Sequence, residues 1–159
     1  MSTTTAAPSL SAKSAVVKGL ETLLANSYAL MGQTHLAHWN VEGPNFFQLH
    51  TAFQTQYEEL FTAIDEIAER IRALDALSPG GLTALAKLSR VTEMPSEAAP
   101  AKDFVAHLID CHEVLLQDAL ELRAACEAAG DLETQDLVIG RIQTHQKTLW
   151  MLKSFLKNL

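Results

Sequence analysis

Four side chains between His38 and Glu69 have the chemistry of transition-metal ligands: His38, His50, Asp65 and Glu69. Imidazole nitrogens and carboxylate oxygens together suit iron and similar ions. Their spacing is the informative part. His50 and Asp65 fall on one predicted helix, fifteen residues apart, which is roughly 22 Å at 1.5 Å per residue. One ion cannot touch both. A second copy of the chain, lying antiparallel, sets His50 of one helix beside Asp65 of the other. The pattern therefore makes most sense as a metal site shared between subunits.

The helix that must position these groups has a distinct core stripe: Phe53, Tyr57, Leu60, Ile64, Ile67, Ile71 and Leu74. With His50 at zero and 100° per residue, that stripe falls around 260° to 340°, while Gln54, Phe61, Asp65 and Glu69 fall around 20° to 100°. The ligands sit beside the core face, where another subunit can meet them, and Phe61 among them favours contact with protein. Asp65 and Glu69 are spaced i, i+4, a like-charge pair that is mildly unfavourable on a free helix. A cation between them reverses that penalty. The plainer reading of the same residues is a solvated acidic face balanced by Arg70 and Arg72, with Glu66 and Arg70 as an i, i+4 ion pair. Taken singly, each histidine reads as a helix-end or surface residue.

Helical periodicity recurs along the chain and no strand signal stands out. A first helix is expected from about Ala12 to His38, with Val16, Leu20, Leu23, Leu24, Ser27, Leu30, Met31 and Thr34 inward. Glu42-Gly43-Pro44-Asn45 ends it and starts the next, which runs from about Phe46 to Leu74. A connection over residues 76–100 holds Pro79, Gly80, Gly81, Pro95 and Pro100, with a short helix at Leu82 to Leu88. A third long helix spans about Lys102 to Ala128, with Phe104, Leu108, Cys111, Leu115, Leu122 and Cys126 inward. Gly130 stops it and Asp131 caps the last helix, whose inner face is Val138, Ile142, His145, Leu149, Leu152 and Leu156. A connection of about 25 residues can run the length of a helix of roughly 40 Å. The expected fold is all-α: a ferritin-like four-helix bundle, residues 12–159, with one long crossover carrying a short helix, behind a disordered tail at residues 1–11. Ferritin-like di-iron bundles place Glu-x-x-His pairs inside. This chain has none, which again moves the ligands out of the bundle centre.

Composition limits the alternatives. The 159 residues carry a formal charge of −7 and a pI near 5.3, a balance that suits cations better than nucleic acid or anionic membrane. No apolar run reaches the length of a membrane span and the N-terminus lacks a signal-peptide core, so a cytoplasmic protein is expected. Cys111 and Cys126, fifteen apart on one helix, are roughly 22 Å from each other and cannot pair; they read as small core residues.

The segments His38-Trp39-Asn40-Val41, Gly43-Pro44-Asn45-Phe46, Leu49-His50 and Asp65-Glu66-Ile67-Ala68-Glu69-Arg70 resemble the signature of the Dps family, the miniferritins named for DNA protection during starvation. The resemblance extends over nearly the whole chain, through the crossover helix to Leu149-Trp150-Met151. It implies a hollow dodecamer with a ferroxidase centre at each twofold dimer interface, His38 and His50 from one subunit and Asp65 and Glu69 from its partner. It further implies oxidation of iron(II), preferably by hydrogen peroxide, storage of ferric mineral in the cavity and protection from oxidative damage. One position departs: four residues after the second histidine the family usually has a carboxylate, and here stands Gln54, whose neutral amide oxygen is a weaker ligand.

The resemblance also suggests that Asp131, Glu133 and Asp136 line acidic pores for iron entry, while their position at a helix start equally suits the helix dipole. Trp39 is expected beside the site, with Trp39 and Trp150 otherwise ordinary core or interface residues; His35, His107, His112 and His145 read as core or surface histidines. Two further functions compete. Some Dps proteins compact DNA through lysine-rich tails, but this tail carries only Lys13, with Lys18 already on the helix and Lys153 and Lys157 at the other end, and the net charge opposes phosphate binding. A metal-free helical assembly protein leaves the histidine and carboxylate pattern unexplained.

Overall fold

The computed structural model describes residues 10–157. Within them the elements are α1 (Leu10–Asn40), α2 (Phe46–Ala73), α3 (Leu82–Leu88), α4 (Ala101–Ala129) and α5 (Leu132–Phe155), with no strand. α1 begins two residues ahead of the expected start and ends two residues beyond His38. The remainder of the expected tail, residues 1–9, lies outside the described residues.

Chain breaks occur where backbone chemistry calls for them. Gly43 and Gly130 adopt φ of 103° and 67°, left-handed geometry that a side chain resists. Gly130 ends α4 with its N–H on the last carbonyls, and the Asp131 N–H returns to Cys126 O at 3.0 Å. Asp131 then caps α5 by accepting from the Thr134 amide at 3.0 Å. These short turns make α1/α2 and α4/α5 antiparallel hairpins, and the crossover carrying α3 joins them. α1 is also antiparallel to α4: Asn26 bonds Asp118 and Gln33 bonds His107. Contacts of Glu59 with Arg141 and of Arg70 with Thr134 run α2 antiparallel to α5.

The inward stripes read from periodicity are the observed core: Leu20, Leu23, Phe53, Ile67, Leu108, Leu115 and Val138 are all buried. Burying each such side chain contributes on the order of 1.5–3 kcal/mol. Cys111 and Cys126 are free and buried within it, and burial pushes their thiols up to about 12 and about 11, so neither offers a thiolate.

Two amides on α1, seven residues apart and on one face, fasten the crossover. Asn26 is fully buried. Its Oδ1 accepts from the Arg90 N–H at 2.7 Å and the Ser89 hydroxyl at 3.2 Å, and its Nδ2 donates to Asp118 Oδ2 at 2.6 Å. Arg90 closes the ring with an ion pair to Asp118. Gln33 repeats the device two turns on, accepting from the Met94 N–H at 2.8 Å and His107 Nε2 at 2.9 Å. Replacing Asn26 by Leu strands the Arg90 N–H and Asp118 Oδ2, and buried unsatisfied groups cost roughly 1–3 kcal/mol each. The variant is expected to lose about 2–4 kcal/mol, read as a lowered thermal midpoint at fixed protein concentration. A wild-type midpoint would show that the crossover is held by other contacts.

The apolar core falls into two clusters, one around Leu20, Ile67 and Leu122 and one around Phe53, Leu108 and Leu149. Among the buried polar groups of α4 and α5, His112 and His145 lie Nδ1 to Nδ1 at 2.9 Å, and Arg141 pairs with Glu59 and reaches His145 Nε2 at 3.4 Å. Burial, and secondarily the Arg141 charge, lowers His112 to about 3. Burial, then His112 and Arg141, hold His145 well below the ordinary value of 6.5. Both imidazoles are neutral in the fold and take up protons near pH 6.5 once it opens. The unfolded chain therefore binds more protons than the native one as pH falls from 6.5 towards 3, and stability declines over that window. Melting temperatures taken between pH 7 and pH 4 should fall more steeply for wild type than for His112→Gln with His145→Gln; parallel slopes would mean other groups govern acid unfolding.

Candidate metal centre

His38 stands in the last turn of α1 and His50 in the second turn of α2, and the Val41–Asn45 turn folds one onto the other. Their rings stack with centroids 3.6 Å apart and planes 19° from parallel. Nδ1 of His38 donates to the His50 carbonyl at 2.8 Å, and Nδ1 of His50 donates to the His38 carbonyl at 2.8 Å. This reciprocal pair puts the ring proton on Nδ1 in both residues and leaves both Nε2 atoms as candidate ligand nitrogens. Anchoring one ring nitrogen on a carbonyl is how proteins aim a metal-binding imidazole. Neighbouring rings add rigidity: Tyr57 meets His38 edge-on at 5.2 Å, Phe46 stacks on His50 at 4.9 Å, and His35 lies between Tyr57 at 4.3 Å and Trp39 at 5.2 Å. Burial, with His38 nearby, holds His35 below its ordinary pKa.

Asp65 and Glu69 are exposed farther along α2, as are Gln54 and Phe61. The core residues of the same helix, Phe53, Leu60, Ile64, Ile67 and Ile71, are buried. So the structure brings His38 and His50 together and leaves Asp65 roughly 22 Å and Glu69 roughly 28 Å from His50 along the helix. Among the described residues of one chain, no three His, Cys, Asp or Glu side chains converge as a metal site. Gln54 donates its amide N–H to Glu58 Oε1 at 2.8 Å, which leaves its own carbonyl oxygen pointing elsewhere. Large apolar side chains surround the ligand stripe in the open: Phe47 is 80% exposed, Phe61 70% and Trp39 69%. Beside Asp65 runs a groove of about 720 Å³ between α1 and α2, lined by Tyr28, Met31, Phe61 and Pro79 among others.

The chain matches the ferritin-like domain family over residues 17–159. It is 34% identical to an uncharacterised low temperature-induced protein of Nostoc sp., over 89% of this chain and 80% of that one. It is 31% identical to DNA protection during starvation protein 2 of Bacillus anthracis, over 89% of this chain and 96% of that one. The crystal structure of the Dps protein of Vibrio cholerae, described as one of the ferritin-like diiron-carboxylate proteins, superposes with a TM-score of 0.88 at 28% identity, covering 98% of this chain and 100% of the other. The chain belongs to the Dps family.

Several details of this Dps chain differ from the sequence expectation or were absent from it. Arg70 does not turn to Glu66; it crosses to α5, donating to Thr134 Oγ1 at 2.7 Å and Asp131 Oδ1 at 3.0 Å, where two acceptors wait in a half-buried setting. Burial alone would raise the Asp131 carboxyl, but the bonds from Thr134 and Arg70 outweigh it and hold it below the usual carboxylate range. Asp131 is thus engaged as cap and ion-pair partner, whereas Glu133 and Asp136 point into solvent. Trp39 and Trp150 are surface residues of the single chain. The reciprocal backbone bonds of the histidines were not visible beforehand, because helix periodicity says nothing of a ring's bond to a carbonyl twelve residues away. Arg141 and His112 did carry a signal: each falls on its helix's inward stripe, between Val138 and Ile142 and between Leu108 and Leu115.

Proposed function

We propose that this protein is a ferroxidase and iron-storage miniferritin whose centres form between two antiparallel subunits. The observation that carries the reading is the division of ligands on one straight helix. Two imidazoles are locked at one end of an exposed stripe, two carboxylates stand at the other, and apolar side chains are exposed around them. An antiparallel copy laid on this face sets His38 and His50 of one chain beside Asp65 and Glu69 of the partner subunit, and buries Phe61 and the neighbouring groove. The crystal structure titled as a diiron-carboxylate Dps protein supports the same chemistry for this chain. By family resemblance the whole is a hollow homo-oligomer, a dodecamer.

Iron(II) is the substrate. His38 Nε2, Asp65 and Glu69 supply one imidazole and two anionic ligands, a hard, negatively charged set that favours the ferric product over the ferrous substrate. With hydrogen peroxide as oxidant, two iron(II) ions each give one electron, the O–O bond breaks and two hydroxides form, so no hydroxyl radical is released. Ferric ion then passes to the cavity as mineral, with Glu133 and Asp136 placed to attract incoming cations. No feature of the acidic surface favours the alternative of DNA compaction.

Asp65→Ala with Glu69→Ala removes both anionic ligands from an exposed helix face, so the bundle should remain folded. Stopped-flow absorbance of ferric products after peroxide addition should show oxidation slowed roughly 100-fold or more. Wild-type rates in the double variant would place the site elsewhere.

The second iron position, near His50, has Gln54 where a carboxylate is usual. A full negative charge at contact distance in a partly dry interface is poorly screened, so its lack should leave this position the weaker one. Anaerobic calorimetry should resolve two unequal iron(II) affinities, and Gln54→Glu should strengthen the weaker by about tenfold or more while hardly moving the stronger. Equal affinities that the substitution leaves unchanged would show the amide to be no handicap.

A further inference from the structure

We propose that Arg141 is a built-in cation that fills a latent divalent-metal position between α2 and α5, and so keeps that position closed to iron. Arg141 is buried and its guanidinium lies among groups that would otherwise ligate a metal. Glu59 binds it through both carboxylate oxygens, one of them at 3.2 Å from Nη2. The same Nη2 donates to His145 Nε2 at 3.4 Å. Since His145 accepts there, its proton sits on Nδ1 and is donated to His112 Nδ1 at 2.9 Å. His112 thereby carries its own proton on Nε2, a buried donor with no partner among the described residues.

Imidazole Nε2 aimed inward, Nδ1–H fixed by a second group, and a carboxylate opposite make up the usual frame of a histidine–carboxylate metal site. Helix register offers a further candidate oxygen. Gln56 precedes Glu59 by one turn on the same face of α2, and because α2 and α5 run antiparallel it lies level with His145. Its Oε1 is buried and unpartnered among the described residues. Ferritin-like bundles hold their metals with carboxylates and imidazoles from facing helices. Here a guanidinium stands in the same surroundings, and its positive charge contributes to holding His112 and His145 neutral. A second cation cannot enter while it is present. That iron is thereby confined to the interface rests on the reading given under Proposed function; that Arg141 occupies a metal position does not.

Cobalt(II) is the probe, added without oxygen to protein carrying Asp65→Ala and Glu69→Ala so that the interface ligands are silent. Adding Arg141→Gln should create one cobalt-binding position per chain, seen by calorimetry and by the visible absorption of imidazole-bound cobalt. Adding Glu59→Gln to that variant should abolish it, and Arg141→Lys, which restores a cation, should not bind. A folded Arg141→Gln variant without extra cobalt would overturn the proposal, as would uptake that survives Glu59→Gln or appears equally in Arg141→Lys. Should Arg141→Gln fail to fold alone, recovery of helical circular dichroism on adding cobalt supports the proposal, and no recovery overturns it. Failure of the interface reading would register separately, as equal cobalt uptake by wild type and the Asp65→Ala, Glu69→Ala protein whatever the Arg141 series does.

Discussion

A straight helix separates its residues by a fixed rise, and that constraint governs the rest of this molecule. His50 and Asp65 cannot approach each other on α2, because fifteen residues of helix hold them roughly 22 Å apart. The bundle adds stiffness, since α2 is anchored by Phe53, Leu60, Ile64, Ile67 and Ile71, all buried. On the reading proposed above, a ligand set split in this way would be completed only through symmetry. In an isologous contact each surface patch meets its own copy, so one pair of half-sites yields two whole ones. The exposed Trp39, Phe47 and Phe61 have the same implication from the side of hydrophobic burial: a monomer leaves this much apolar surface in water only at a cost.

Rigidity of the histidine half follows from the turn between α1 and α2. Gly43 permits the tight reversal, and the reversal brings each backbone carbonyl to the other residue's ring. The His38 carbonyl lies in the last turn of α1, where acceptors lack an intrahelical donor; the His50 carbonyl, early in α2, takes the ring N–H on its second lone pair. One local arrangement therefore satisfies the backbone, sets both tautomers and aims both Nε2 atoms. The carboxylate half needs no such aid, since Asp65 and Glu69 are one turn apart on a regular helix and can close on a cation together.

Much of this was legible in the residues. The first four helices begin and end within two residues of where periodicity, Gly43, Pro44 and Gly130 place them, because a single amphipathic stripe per helix is a strong and local signal; the last, expected to run to the C-terminus, ends at Phe155. Legibility failed where a side chain acts across the fold. Arg70 has an obvious neighbour in Glu66, yet its partners are Asp131 and Thr134, about sixty residues on; an exposed i, i+4 pair is worth a few tenths of a kcal/mol and yields readily to a bidentate, half-buried one. The Asn26 and Gln33 latches were equally hidden, since an inward Asn on a helix gives no sign of which loop it will receive. At Gln54 the sequence showed the missing charge, while the bond to Glu58 that orients the amide appears only in three dimensions.

The bundle interior shows why position in a fold matters more than residue type. Histidine and carboxylate occur both at the edge of α2 and in the core, yet they face opposite electrostatic conditions. At the edge, Asp65 and Glu69 have no ion-pair partner among the described residues, and on the proposed reading a metal would relieve their mutual repulsion. Between α2 and α5, the part-exposed Glu59 is already paired with the buried Arg141, and the two buried imidazoles are held neutral by burial and by that same positive charge. Breaking a buried ion pair by removing one member is costly because the other is left uncompensated. On the readings proposed above, the Arg141 pair would resist exchange with iron, whereas the edge carboxylates would gain from it. Ferritin-like bundles can hold metal between facing helices; on the readings proposed above, this chain fills that place with an arginine and presents its candidate ligands on the outside, where a second copy of the chain would complete them.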